Sequence, residues 1–119
     1  MELYIDVAPR LFVGEKRQGP GLAALLHKIE TLHSLRAACM SLNMTYSRAW
    51  NTIKEAEEQL GFPLLHTATG GRHGGGASLT KECERLLRAY DGFCAELSQQ
   101  KERLFAQYLG SYCPPETTE

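Results

Sequence analysis

Arg48 and Asn51 stand about one helical turn apart, near the start of a run from Tyr46 to Leu60 in which Ala49, Ile53, Ala56 and Leu60 recur at helical spacing. Each can make paired hydrogen bonds to a nucleobase edge, arginine to guanine O6 and N7 and asparagine to adenine. Tyr46 and Ser47 beside them suit a phosphate or a thymine methyl, Thr45 is placed to cap the helix, and Lys54 and Arg36 add positive charge. A solvated helix face with no ligand would look the same in isolation. A second group is Gly70-Gly71-Arg72-His73-Gly74-Gly75-Gly76, nearly bare of side chains except for two that carry or can gain positive charge. It lacks the Lys-Ser/Thr of a nucleotide-binding P-loop and does not open a helix as GxGxxG does. Arg72 and His73 at a hairpin tip would instead touch phosphate or a minor groove, and a plain surface hairpin is the simpler alternative.

Other chemistry has less support. His27, His33, His66 and His73 with Cys39, Cys83, Cys94 and Cys113 contain no pair at the short spacing of a structural zinc site. No Ser/His/Asp or paired-carboxylate arrangement suggests catalysis, so neither an enzyme nor a metal or other cofactor is expected. Cys83 is read as a small apolar core residue, with a redox switch across a dimer as the alternative. The cysteines are expected to be reduced thiols of a cytoplasmic protein, because the N-terminus lacks the basic start and continuous apolar run of an export signal.

The elements that would position these groups follow from periodicity and punctuation. Leu3, Ile5 and Val7, then Leu11 and Val13, alternate as two short strands broken at Ala8-Pro9-Arg10, an N-terminal β-hairpin. Gly19-Pro20-Gly21 separates them from a first helix with Leu22, Leu25, Leu26, Ile29 and Leu32 on one face. Ser34 caps a short second helix to about Leu42, Asn43 suits the left-handed turn that ends it, and Thr45 opens the third. Gly61 and Pro63 stop the third helix. Trp50, at the edge of its inner stripe, is assigned as a core or inter-helix anchor. Two strands in 64–79 flank the glycine-rich loop, and Thr80 caps a helix that runs to about Leu109.

In that helix Cys83, Leu86, Tyr90, Phe93, Leu97, Gln100 and Leu104 alternate by three and four, as in a coiled-coil seam. At ~1.5 Å per residue the helix would run roughly 45 Å, too far for one small core to cover. Leu86, Tyr90, Phe93, Leu97 and Leu104 are therefore expected at a homodimer interface. The predicted fold class is mainly α with a small β component, a winged helix-turn-helix. Residues 1–79 form the domain, with the wing at 64–79, residues 80–110 the dimerisation helix and 111–119 a disordered tail.

Composition agrees with one small domain: 119 residues, 43% hydrophobic and 23% charged, with no apolar run long enough for a membrane. The net charge is −1, so anion binding must come from a local patch. Such patches exist, because no acidic residue occurs from Thr31 to Lys54 or from Gln59 to Lys81, whereas Glu55, Glu57 and Glu58 gather on the rear of the third helix. The partner implied is double-stranded DNA, with helix 45–60 in the major groove and 70–76 on the backbone or minor groove.

Several stretches also resemble a known family. Arg10-Leu11-Phe12-Val13-Gly14, the Gly-Pro-Gly before the first helix, SLRAACMSLNMTYSRAWNTI (34–53) and ATGGRHGGGASLT (68–80) together resemble the N-terminal DNA-binding domain of the molybdate-dependent transcriptional regulators, the ModE family. EEQLGFPLL (57–65) is similar to the corresponding part of LysR-type regulators. The resemblance, over roughly Arg10 to Leu97, implies a homodimeric transcriptional regulator on a palindromic operator. Two departures stand out. The chain ends soon after the long helix, without the oxyanion-binding domain of the molybdate sensors, so molybdate is not expected as a partner. His33 occupies a corner where the family commonly has glycine. The rival from another class is a winged-helix protein-interaction module without specific DNA binding.

Overall fold

A computed structural model describes residues 2–15, 17–68 and 76–115. Its elements are α1 (Leu22–Leu32), α2 (Leu35–Ser41), α3 (Tyr46–Leu60), β1 (Leu65–Thr67), β2 (Ala77–Leu79) and α4 (Lys81–Leu109). Contacts divide the chain into two units, one of Arg10–Tyr90 and one of Met1–Pro9 with Asp91–Glu119, so that α4 contributes to both.

The first unit is built around leucine, isoleucine and alanine. Leu22, Leu25, Leu26 and Ile29 of α1 meet Leu35, Ala38 and Cys39 of α2, Ala49, Ile53 and Ala56 of α3, Leu64, Leu79 of β2, and Cys83 and Leu87 of α4. Ala38 and Ala49 are fully buried, and their small side chains let α2 and α3 approach closely. Each helix start has a chemical reason. Leu22 N–H donates to the Leu11 carbonyl at 2.7 Å, Ala37 N–H to Ser34 Oγ at 3.0 Å, and Arg48 N–H to Thr45 Oγ1 at 3.2 Å. These groups satisfy first-turn donors that have no partner inside the helix. Thr80 Oγ1 does the same for Cys83 N–H at 3.1 Å while donating to the Pro63 carbonyl at 2.7 Å.

The expected turn between α2 and α3 is formed, with Asn43 at φ 55°. At the preceding corner His33 adopts the left-handed conformation, φ 57° and ψ 29°. Its N–H donates to the Ile29 carbonyl at 2.8 Å, and its carbonyl accepts Ala77 N–H at 3.0 Å, tying β2 to the corner. A histidine thus holds here the left-handed geometry that glycine adopts most readily. β1 and β2 pair antiparallel, Leu65 with Leu79, His66 with Ser78 and Thr67 with Ala77.

Four expectations are corrected. The N-terminal β-hairpin is not formed: among the described residues, 2–15 contain no strand. The physical reason is that the groups a second strand would use are engaged elsewhere. Leu11 offers its carbonyl to Leu22 N–H at the start of α1, and Pro9 has no N–H to give a ladder. Trp50 is not a core anchor but lies 36% exposed, because Ala49, Ile53 and Ala56 already fill the inner face of α3. Leu32 and Leu60, expected on inner stripes, are exposed at the last residues of their helices. In α4 the spacing missed Leu87, which is fully buried beside Cys83.

The second unit is smaller. Ile5 and Val7 line an almost wholly apolar cavity of about 290 Å³ with Leu97, Leu104, Phe105 and Tyr108 of the distal half of α4. Among the described residues no helix is long and apolar enough to cross a membrane.

Candidate nucleic-acid interface

Successive residues of α3 turn about 100° around its axis, so the burial of Ala49, Ile53 and Ala56 fixes where every other side chain points. Ser47, Asn51 and Lys54 face directly away from the core. Tyr46 and Trp50 occupy one flank of that outer face; Arg48, Thr52 and Glu55 occupy the other. All of the expected contact residues that are described, Arg36, Thr45, Tyr46, Ser47, Arg48, Asn51 and Lys54, are exposed. Arg72 and His73, and the greater part of the expected wing tip at 70–76, lie outside the described residues.

The two flanks differ in what surrounds them. On the Arg48 side Phe12, Val13, Gln18, Pro20 and Gly21 line a cavity of about 350 Å³ together with Ser47, Arg48, Asn51 and Glu55. The Arg48 guanidinium lies on Gly19: a β-carbon at that position would come within 2.9 Å of its terminal nitrogen. Gly21 is equally constrained, at φ 92° with a β-carbon only 3.0 Å from the Leu11 carbonyl oxygen. The Gly-Pro-Gly motif therefore gives the chain both the positive φ angles and the close approach that bring it against α3.

On the other flank two cations sit over two rings. The Arg36 guanidinium, from the first turn of α2, is 4.6 Å from the centre of the Tyr46 ring, and Lys54 Nζ is 4.5 Å from the centre of Trp50. Lys54 also pairs with Glu57 Oε1 at 3.3 Å, and the other oxygen of Glu57 accepts Leu64 N–H at 2.7 Å. Tyr46, Trp50 and Lys54 thus form a fixed row at i, i+4 and i+8. Sequence reasoning placed Tyr46 and Lys54 on this surface and missed Trp50 between them, although the four-residue spacing itself carried the signal.

The seam residues of α4 divide. Leu86 and Tyr90 are half-buried against the core of their own chain, Leu97 and Leu104 line the apolar cavity with Ile5 and Val7, and Phe93 is 61% exposed. Cys83 is fully buried, and desolvation, with Glu30 next in effect, pushes its thiol up to about 11. A thiol kept protonated is a poor nucleophile, which favours the core role over the redox one. Among the described residues no three His, Cys, Asp or Glu side chains are placed to hold a metal ion.

Three helices with a tight turn before the third, followed by an antiparallel hairpin, define a winged helix-turn-helix domain. The model of the bacterial regulatory helix-turn-helix proteins of the lysR family matches residues 22–84, and the chain belongs to that family. It is 35% identical over 89 residues to the transcriptional regulator ModE of Haemophilus influenzae, covering 75% of this chain and 33% of that protein. The DNA-binding transcriptional dual regulator ModE of Escherichia coli is 31% identical over 98 residues, 82% of this chain and 35% of its own. The molybdenum-pterin-binding protein MopB of Rhodobacter capsulatus is 36% identical over 74 residues, 62% and 27% of the two chains. The chain therefore spans about a third of the length of these curated relatives. Among solved structures, ArgP from Mycobacterium tuberculosis has the same fold, with a TM-score of 0.53 at 24% identity over 69% of this chain and 29% of that one.

Proposed function

We propose that this chain is a sequence-specific DNA-binding transcriptional regulator that acts as a homodimer, with α3 in the major groove and the loop at 70–76 on the backbone or minor groove. One observation carries the reading: the lysR-type match at 22–84 coincides with an exposed α2–α3 surface built from a stretch that has no acidic residue between Thr31 and Lys54. Asn51, facing away from the core, is the contact for a base edge, and Ser47 reaches a base edge or phosphate. Arg36 and Lys54 meet the phosphates at the groove edge. Arg48, on the flank against Gly19, contacts the phosphate backbone. Arg72 and His73 extend the footprint from the wing.

Fluorescence anisotropy on the chain's own upstream intergenic DNA and on a scrambled duplex of equal length, across a salt series, tests this. The expected result is at least ~1,000-fold preference for the first, with affinity falling steeply as salt rises. Weak and equal binding to both, with a protein recovered in a pull-down on the immobilised chain, would favour the interaction-module reading instead.

A further inference from the structure

Trp50 is a large aromatic side chain of α3 that the core does not use. Its neighbours Ala49 and Ile53 are buried to within 1%, while Trp50 lies 36% exposed and Tyr46, one turn earlier, 43%. Exposing two such side chains side by side costs apolar hydration that a polar residue would avoid. Each ring has a cation against it. Lys54 holds one face of Trp50, Glu57 holds Lys54, and Leu64 N–H holds Glu57; Arg36 holds the Tyr46 ring. Two apolar surfaces, each against a cation, are therefore presented along one flank of α3, next to the outward-facing Ser47.

The chemistry of a duplex narrows what such surfaces can meet. In the major groove the base faces are stacked and closed to an indole, and most of what the edges offer is hydrogen-bond donors and acceptors. The apolar group that stands in that groove is the 5-methyl of thymine. Phosphates border that groove, and each ring has a cation beside it, so one surface offers both an apolar contact and charge suited to a phosphate. An apolar protein surface would desolvate the Arg36 guanidinium with no anion to pair it, and would leave Lys54 with Glu57 alone.

Resting on the DNA-binding reading above, we propose that Trp50, with Tyr46 beside it, is a specificity-determining residue that reads thymine 5-methyl groups in the major groove. The test removes only the methyl. Duplexes are selected from a random library with the full chain, and each fixed thymine is then replaced in turn by deoxyuridine. At one or two thymines per half-site the unaltered protein should lose about three- to fourfold in affinity, the worth of one buried methyl. Trp50→Ala should lose less than about 1.5-fold at the same positions, and Trp50→Phe should fall between.

Deoxyuridine that is neutral everywhere, or equally costly to Trp50→Ala, overturns the inference while leaving the DNA-binding reading intact. A selected site with no fixed thymine overturns it as well. Failure to select any duplex removes the DNA-binding reading itself, and retention of a protein partner that Trp50→Ala abolishes would assign the surface to protein recognition. The deoxyuridine series on the unaltered chain needs no variant to fold.

Discussion

Asn51 and Arg48 are one helical turn apart, yet they are set to act differently. Asn51 is exposed and points away from the core, whereas the Arg48 guanidinium rests on Gly19 at the side of the helix. Asn51→Ala should therefore relax sequence preference, losing about 1 to 3 kcal/mol on the preferred site and little on a scrambled duplex. Arg48→Ala should weaken both duplexes alike and lower the salt slope by roughly one ion. Anisotropy with the two variants separates these outcomes, and a preference lost with Arg48→Ala but kept with Asn51→Ala would reverse the assignment. The exposed position of both residues was legible in the sequence because a helix face is set by spacing. Trp50 was misread because its residue type suggested burial, and only the volumes of Ala49, Ile53 and Ala56 show that the core is full without it. Cys83 gives a prediction of another kind. Its thiol titrates at about 11, above its ordinary value of 9.0, so the neutral form favours the fold. That contribution is complete below the ordinary thiol range and is lost as pH rises through about 11. Chemical denaturation at pH 8 and at a pH near 11 should show a larger loss of stability in the unaltered chain than in Cys83→Ala; equal losses would mean that the thiol does not report the fold.

The helices were legible as elements because their caps and stops are chemically explicit: Ser34, Thr45 and Thr80 at starts, Asn43 and Gly61 at ends. The segment before α1 was not. Alternation in Leu3, Ile5 and Val7 is a statement about two faces, and it does not say whether a strand partner or a helix supplies the apolar face. Here Ile5 and Val7 lie against the distal part of α4, while Phe12, Val13, Gln18 and Pro20 line a cavity with α3. The corner between α1 and α2 makes a test of local backbone energetics. His33 holds φ 57° with its N–H and carbonyl both bonded, a conformation that costs an L-residue roughly 1 to 2 kcal/mol. Glycine removes that cost but adds conformational freedom to the unfolded chain, which offsets part of the gain. His33→Gly should raise stability by about 0.5–1 kcal/mol, a few degrees in melting temperature by calorimetry. A lower melting temperature would mean that the imidazole makes a contribution larger than the strain it imposes.

At the scale of the whole molecule, 13 basic and 14 acidic side chains nearly cancel, so function depends on where charge and apolar surface fall. The helical seam in α4 illustrates the limit of reading a pattern alone. Its three-and-four spacing is real, but Leu86 and Tyr90 are spent on the core of the same chain, which leaves the residues beyond Tyr90 as the part available to a second copy. There Phe93 is 61% exposed, Leu104 45% and Tyr108 72%, an apolar display that association would remove from water at roughly 1.5–3 kcal/mol for each large side chain fully buried. Phe93→Glu and Leu104→Glu should each convert a dimer to a folded monomer in sedimentation equilibrium, since neither side chain belongs to the buried core. Leu86→Glu should instead lower the melting temperature, because its side chain packs against that core. The same monomerising variants should lose about 10²- to 10⁴-fold in affinity for a two-half-site duplex while binding a single half-site as before, the loss expected when two linked contacts become one. An unaltered chain that sediments as a monomer, or charged variants that remain dimeric, would move the interface away from this face of α4 and with it the spacing of any operator the chain reads.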